Sequence, residues 1–119
     1  MAVNQVHQRE IVEVPFMLPD GNILPHPALV ISCDELQNIE PGMFYAVLIS
    51  TKNHYPELTI PIQSEWLSSP LSQQSYFVTH IVSQFHCDDV LNRRNCFIRQ
   101  FYFDQVVDRI IANIVDGDW

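Results

Sequence analysis

A chain of 119 residues suits one domain, 1–119, that buries a real core without disulfides or a structural metal, and its 47% hydrophobic against 17% charged residues lie far from disordered compositions. Fourteen acidic residues against six basic ones give a net charge of −8, which argues against general coating of a phosphate backbone. The three cysteines, Cys33, Cys87 and Cys96, are odd in number and lack CxxC spacing, so neither a disulfide framework nor a zinc knuckle is suggested, and they read as reduced and structural.

The polar start from Met1 to Glu10 offers no signal-peptide core, and no stretch reaches the roughly 18 apolar residues of a membrane span, so a cytoplasmic location is expected. Ile11 to Phe16 places Val12, Val14 and Phe16 on one face, as a half-buried strand would. Met17 to Pro27 holds three prolines, Asp20-Gly21 and Asn22, the punctuation of a turn or long hairpin loop. Ala28 to Ile31 and Phe44 to Ile49 are short continuous apolar runs, predicted to be central strands covered on both faces. Between them, Ser32 to Gly42 is acidic and turn-forming. Leu58, Ile60 and Ile62 alternate with Thr59 and Pro61, and Pro61 marks an edge strand.

Ser64 to Leu71 leaves room for one helical turn around Trp66, Ser75 to Val82 reads as a strand, and Phe97 to Tyr102 as the last one. From about Phe103 the apolar residues fall at Phe103, Val106, Val107, Ile110, Ile111 and Ile114, the stripe of an amphipathic helix, with Asp104 suiting the dipole near its start. Strands first and one helix last, with no βαβ alternation, predict a mostly β fold, a small barrel with a C-terminal helix.

Three blocks in order resemble the PemK/MazF family. Arg9-Glu10-Ile11-Val12-Glu13-Val14-Pro15-Phe16 is similar to the family's opening RGDIV.V.F, with Glu10 read at the usual glycine. His26-Pro27-Ala28-Leu29-Val30-Ile31-Ser32 resembles RPALVIS and is followed by Asp34-Glu35, and Ala46-Val47-Leu48-Ile49-Ser50 resembles the strand ending in Ile-Thr or Ile-Ser. Weaker similarity runs through Ser75 to Phe85 and the final helix. The resemblance implies an SH3-like barrel of the CcdB/PemK type, and an endoribonuclease toxin that cuts single-stranded RNA without a metal or cofactor. It also implies a homodimer and a cognate antitoxin as partner. Its catalytic arginine and hydroxyl positions correspond to His26 and Ser50, with Thr51, Lys52 and His80 beside the RNA path.

Each of these residues also has a plainer reading. Guanidinium offers phosphate a permanently charged fork, whereas imidazole is only partly charged near neutrality, so His26 is either a surface histidine or a general acid or base. Ser50 and Thr51 are strand-end hydroxyls that more often cap or face solvent. His80 is a structural strand histidine or a second acid or base, and Lys52 is a solvated lysine or a phosphate contact. His86-Cys87-Asp88-Asp89 reads as a turn before a short helix, because four adjacent residues do not converge on one tetrahedral ion. Trp66 and Trp119 are too isolated to make a base-stacking platform. Beside the nuclease stand two other functions: a catalytically degenerate barrel of the same kind that binds protein, and a poison of a protein target such as a topoisomerase. The few cations, chiefly Arg93, Arg94, Arg99 and Arg109 in the last quarter, must serve any RNA path.

Overall fold

In the computed structural model, which describes residues 5–18 and 20–117, the alternation of Ile11 to Phe16 becomes β1 (Glu10–Met17). It forms a hairpin with β2 (Ile23–Val30), in register from Ile11↔Leu29 to Met17↔Ile23. The turn between them works as its residue types predict: Gly21 takes a φ of +89°, and the Asp20 carboxylate accepts the Asn22 N–H at 2.9 Å. Trp119 lies outside the described residues.

The acidic Ser32 to Gly42 segment, expected as turn alone, contains the short helix α1 (Asp34–Ile39). Asp34 and Glu35 in its first turn complement the helix dipole. Tertiary contacts hold it. Buried Gln37 accepts the Val6 N–H at 3.2 Å and donates to the Val6 carbonyl at 2.6 Å. Asp34 accepts the Gln8 N–H and pairs with His7 at 3.0 Å. Burial raises the Asp34 pKa, but the His7 and Gln8 hydrogen bonds and the His7 charge outweigh it and leave the carboxyl below its usual value.

Gly42, at φ +78°, leads into β3 (Met43–Ser50), and a Cβ there would collide with the His86 ring. Pro61 lies in β4 (Thr59–Pro61), an edge strand as its missing N–H requires. A single turn over Ser64–Trp66 follows, and then β5 (Tyr76–His86), which runs four residues past the expected end at Val82. The last strand is not Phe97 to Tyr102 but β6 (Asn92–Phe97), and the helix α2 (Gln100–Ile110) begins before Phe103. Polar Asn92 to Arg94 make a strand because β6 is an edge whose arginines answer carboxylates on β1.

The sheet order is β4-β5-β3-β2-β1-β6, antiparallel throughout. Its ends curl toward each other without closing: the Leu67↔Ile98 bridge and the Ser68 N–H to Phe97 carbonyl bond join them. Central β2 and β3 are covered on both faces, as their apolar runs predict. One core gathers Leu29, Val47, Ile49 and Phe77 beneath Phe103, Val106 and Ile110 of α2. The other gathers Val12, Val14, Ala28, Val30, Phe44, Ala46 and Leu48.

The helical stripe ends early, and Ile111 and Ile114 are exposed. Beyond Ile110 the backbone widens into a π-helical turn over Ile111–Asp116, which rotates the following side chains. Asn113 faces the core instead and donates to the Thr79 hydroxyl at 2.6 Å.

The buried Glu10 carboxylate accepts two bonds of 2.8 Å from Arg93 and the His7 N–H at 3.0 Å. A bulge makes this possible: the β1–β6 register shifts between Ile11↔Cys96 and Val12↔Arg93, and Asn95 turns through a φ of +53°. The left-handed residue of the opening block is Arg9, at φ +76°. Glu10, read at the glycine of the opening block, is not the residue with the left-handed backbone. Arg93→Ala strands a buried carboxylate and should lower unfolding free energy by about 3 kcal/mol. Arg94→Ala breaks only a 3.6 Å, more exposed pair with Glu13 and should cost under about 1 kcal/mol. Urea unfolding of both variants checks the difference, and equal losses would refute it.

Candidate functional site

His26 sits in β2 opposite Val14, and Ser50 ends β3; the ladder between these strands stops at Ala28↔Leu48, two residues short of both. Side chains alternate along a strand, so His26 continues the row of Val30 and Ala28, and Ser50 continues the row of Ala46 and Leu48. Both rows belong to the face away from α2. In β5, Thr79 faces the helix side through Asn113, and its neighbour His80 meets Tyr55 of the loop that leaves β3. His80 lies in a wide bulge where β5 loops out Val78 to Ile81 against Leu48 alone, between Val47↔Val82 and Ile49↔Phe77.

The two imidazoles share an unusual property. The Nδ1 atoms of His26 and His80 are the two buried side-chain polar atoms that have no hydrogen-bond partner among the described residues. Buried polar atoms are normally satisfied, and an orphan costs roughly 1–3 kcal/mol. Packing holds both rings in place: Phe16 meets His26 edge-on at 5.7 Å, and Tyr55 meets His80 edge-on at 6.2 Å. Neither aromatic was singled out in the sequence, although Phe16 belongs to the opening block.

Ser50 meets its plainer reading in part, since its Oγ accepts the Lys52 N–H at 3.1 Å. The hydroxyl proton remains free to donate. Thr51 and Lys52 are exposed in the loop that follows. No hydrogen bond joins His26, Ser50 and His80 to one another among the described residues.

The arginines of the last quarter form no open cationic path. Arg93 and Arg94 pair with Glu10 and Glu13, while Arg99 and Arg109 donate to the carbonyls of Glu65 and Glu57. Arg9 likewise donates to the Ile98 carbonyl. Lys52 is the one cation without a carboxylate or carbonyl partner among the described residues.

His86, Cys87 and Asp88 bring ligand atoms within 4.8 Å of one another at the turn Cys87–Asp89. The turn is the expected one, but the strand β6 follows it and not a short helix. Its chemistry does not favour an ion: His86 Nδ1 already accepts the Asp88 N–H at 3.1 Å. Burial, with Asp88 adding to it, pushes the Cys87 thiol up and keeps it in its non-ligating form. Two hollows, about 380 Å³ between Ile60, Trp66 and α2 and about 290 Å³ beside Leu71, are not lined by His26, Ser50 or His80. Trp66 is not isolated, because it stacks on Tyr102 at 4.8 Å. No described helix is long and apolar enough to cross a membrane.

Neither protein-family models nor curated sequences match this chain. Solved structures do. The fold is similar to MazF from Deinococcus radiodurans, with a TM-score of 0.73 at 9% identity over 93% of this chain and 97% of that one. It is similar to an endoribonuclease from a mycobacterial species, with a TM-score of 0.70 at 14% identity over 98% and 97% of the two chains. A mycobacterial endoribonuclease in complex with its cognate antitoxin matches with a TM-score of 0.63 at 15% identity over 93% of each chain. At these identities the likeness is one of fold, and the chain has the fold of MazF-type toxins.

The orphan nitrogens allow a test that needs no substrate. Replacing a buried, unpartnered imidazole by an apolar ring removes a desolvation cost, so His26→Phe and His80→Phe should each leave the melting temperature unchanged or raise it by a few degrees. A fall of more than about 5 °C in calorimetry would mark these rings as ordinary structural histidines.

Proposed function

We propose that this protein is a metal-independent endoribonuclease toxin that cuts single-stranded RNA on the sheet face carrying His26 and Ser50, with His80 beside it. The observation that carries the reading is the pair of buried, unpartnered imidazole nitrogens in a MazF-type sheet. Structural histidines would have been given partners. Both Nδ1 atoms are closed to solvent, so proton exchange with a substrate falls to the other ring nitrogen, Nε2, of each half-buried imidazole.

The reaction needs only these side chains. The 2′-oxygen forms a bond to the adjacent phosphorus while the bond from phosphorus to the 5′-oxygen breaks, leaving a cyclic phosphate and a free 5′-hydroxyl. A neutral imidazole takes the 2′-proton, and a protonated one supplies the proton that the 5′-oxygen needs. His26 is the principal catalytic residue, and His80 is the second acid or base beside the RNA. The Ser50 hydroxyl donates to a phosphate oxygen as charge develops there. Thr51 and Lys52 follow it along the strand of RNA, with Lys52 meeting a phosphate as a point charge.

The biological setting follows from the same fold. A cognate antitoxin covers this face, a reading supported by the mycobacterial endoribonuclease solved with its own antitoxin. Action on RNA places the protein in the cytoplasm. A homodimer is supported by the exposed apolar end of the first hairpin, where Met17, Ile23 and Leu24 are 62%, 60% and 47% exposed. Light scattering at tens of micromolar should give twice the monomer mass of 13.8 kDa, and a monomer mass would refute the dimer.

One observation favours a second reading, a catalytically degenerate barrel that binds protein. Every arginine already holds a partner within the chain, and Arg93 and Arg94 are neutralised by Glu10 and Glu13. Incubation of purified protein with a long single-stranded RNA in EDTA separates the two. The nuclease reading expects cleavage that persists without a divalent metal. It expects a loss of about a hundredfold or more in His26→Ala. Restoring a fixed charge and a forked donor in His26→Arg should raise the rate by about a hundredfold. If the folded wild type and His26→Arg both neither bind nor cut RNA, the binding-module reading replaces it.

A further inference from the structure

The loop leaving Ser50 is more ordered than an exposed loop needs to be. Its start is tied by the Lys52 N–H to Ser50 Oγ bond, and its middle by the Thr59 hydroxyl, which donates to the Asn53 side chain. Its end is tied by the Leu58 N–H, which donates to the Tyr55 carbonyl at 2.8 Å, while the Leu58 carbonyl accepts the Thr79 hydroxyl at 2.7 Å. The loop is thereby fastened to β4 and β5, the strands that carry the approach to His80.

Two side chains on this fastened loop keep free surface. Lys52 is the one cation without an acidic or carbonyl partner among the described residues. Tyr55 is 58% exposed, and the edge-to-face contact with His80 at 6.2 Å fixes its ring without covering both faces. An open aromatic ring held rigid beside a free cation is the arrangement by which single-strand binders take a base and its phosphate. Stacking needs a π-face and little positive charge, which suits a chain of net charge −8 whose arginines are engaged elsewhere.

We infer that the Ser50 to Tyr55 loop is a nucleobase subsite, in which Tyr55 stacks one unpaired base of single-stranded RNA and Lys52 contacts a phosphate next to it. The inference rests on the nuclease reading. It assigns to Tyr55 and His80 one shared task, because the ring that receives the base also holds the imidazole facing the backbone. Base stacking thus positions His80 as well as the RNA.

The test uses a fluorescein-labelled single-stranded RNA of about a dozen nucleotides spanning a cut mapped on the long RNA, bound to the His26→Ala protein so that the strand stays intact. Adding Tyr55→Ala should weaken binding about tenfold, and Tyr55→Phe should not. Adding Lys52→Ala should lower the slope of log affinity against log salt by about one phosphate's share. An abasic nucleotide moved along the probe should weaken binding to the His26→Ala protein at one position by the Tyr55→Ala amount, and cause no further loss there in the double variant. Equal affinity with and without Tyr55→Ala, or an abasic loss that persists in the double variant, overturns the subsite and leaves the nuclease reading standing. RNA that is neither bound nor cut by the wild type overturns the nuclease reading and the subsite with it.

Discussion

A carboxylate with almost no solvent cannot stay ionised unless something else stabilises its charge. Glu10 is that carboxylate, and the forked contact from Arg93 together with the His7 N–H supplies what water would have done. The pair sets the position of β6, a strand too polar to be held by a hydrophobic face. With β6 in place on β1, Ile98 reaches the Leu67 bridge and the two ends of the curled sheet are joined. Arg99 then donates its N–H to the Trp66 carbonyl and turns the chain into α2, whose Phe103, Val106 and Ile110 cover one core.

The same economy of cations shapes the outer surface. Arg93 and Arg94 are engaged by carboxylates and Arg9, Arg99 and Arg109 by backbone carbonyls, which leaves Lys52 without such a partner among the described residues.

Two features of the sheet near His26 and His80 work against stability. Two buried ring nitrogens without partners are a standing cost in a small fold, and the bulge that looks out with His80 interrupts the β3–β5 ladder. The chain tolerates both because β2 and β3 are covered on both faces and hold their register from the interior. The rigid centre carries the strained rim, and the loops beyond it are tied by side-chain hydrogen bonds instead of by burial.

The strands of the centre were legible in the sequence because their signal is local: Ala28 to Ile31 and Phe44 to Ile49 are apolar without a break, and the alternation of Ile11 to Phe16 needs no partner to be read. His26 and Ser50 were legible only by resemblance to RPALVIS and its following strand, since a histidine and a serine carry no pattern alone. The strand at Asn92–Phe97 was not legible, because its polar residues are stabilised by Glu10 and Glu13, some eighty positions earlier. The helix α1 was hidden for the same reason, its buried Gln37 being satisfied by the backbone of Val6. The end of the helical stripe was hidden too, because a π-helical turn exchanges Ile114 for Asn113 at the core, where Thr79 receives it. Periodicity reports which residues avoid water. Which polar groups find each other, and which nitrogens are left without a partner, depends on strands brought together only by folding.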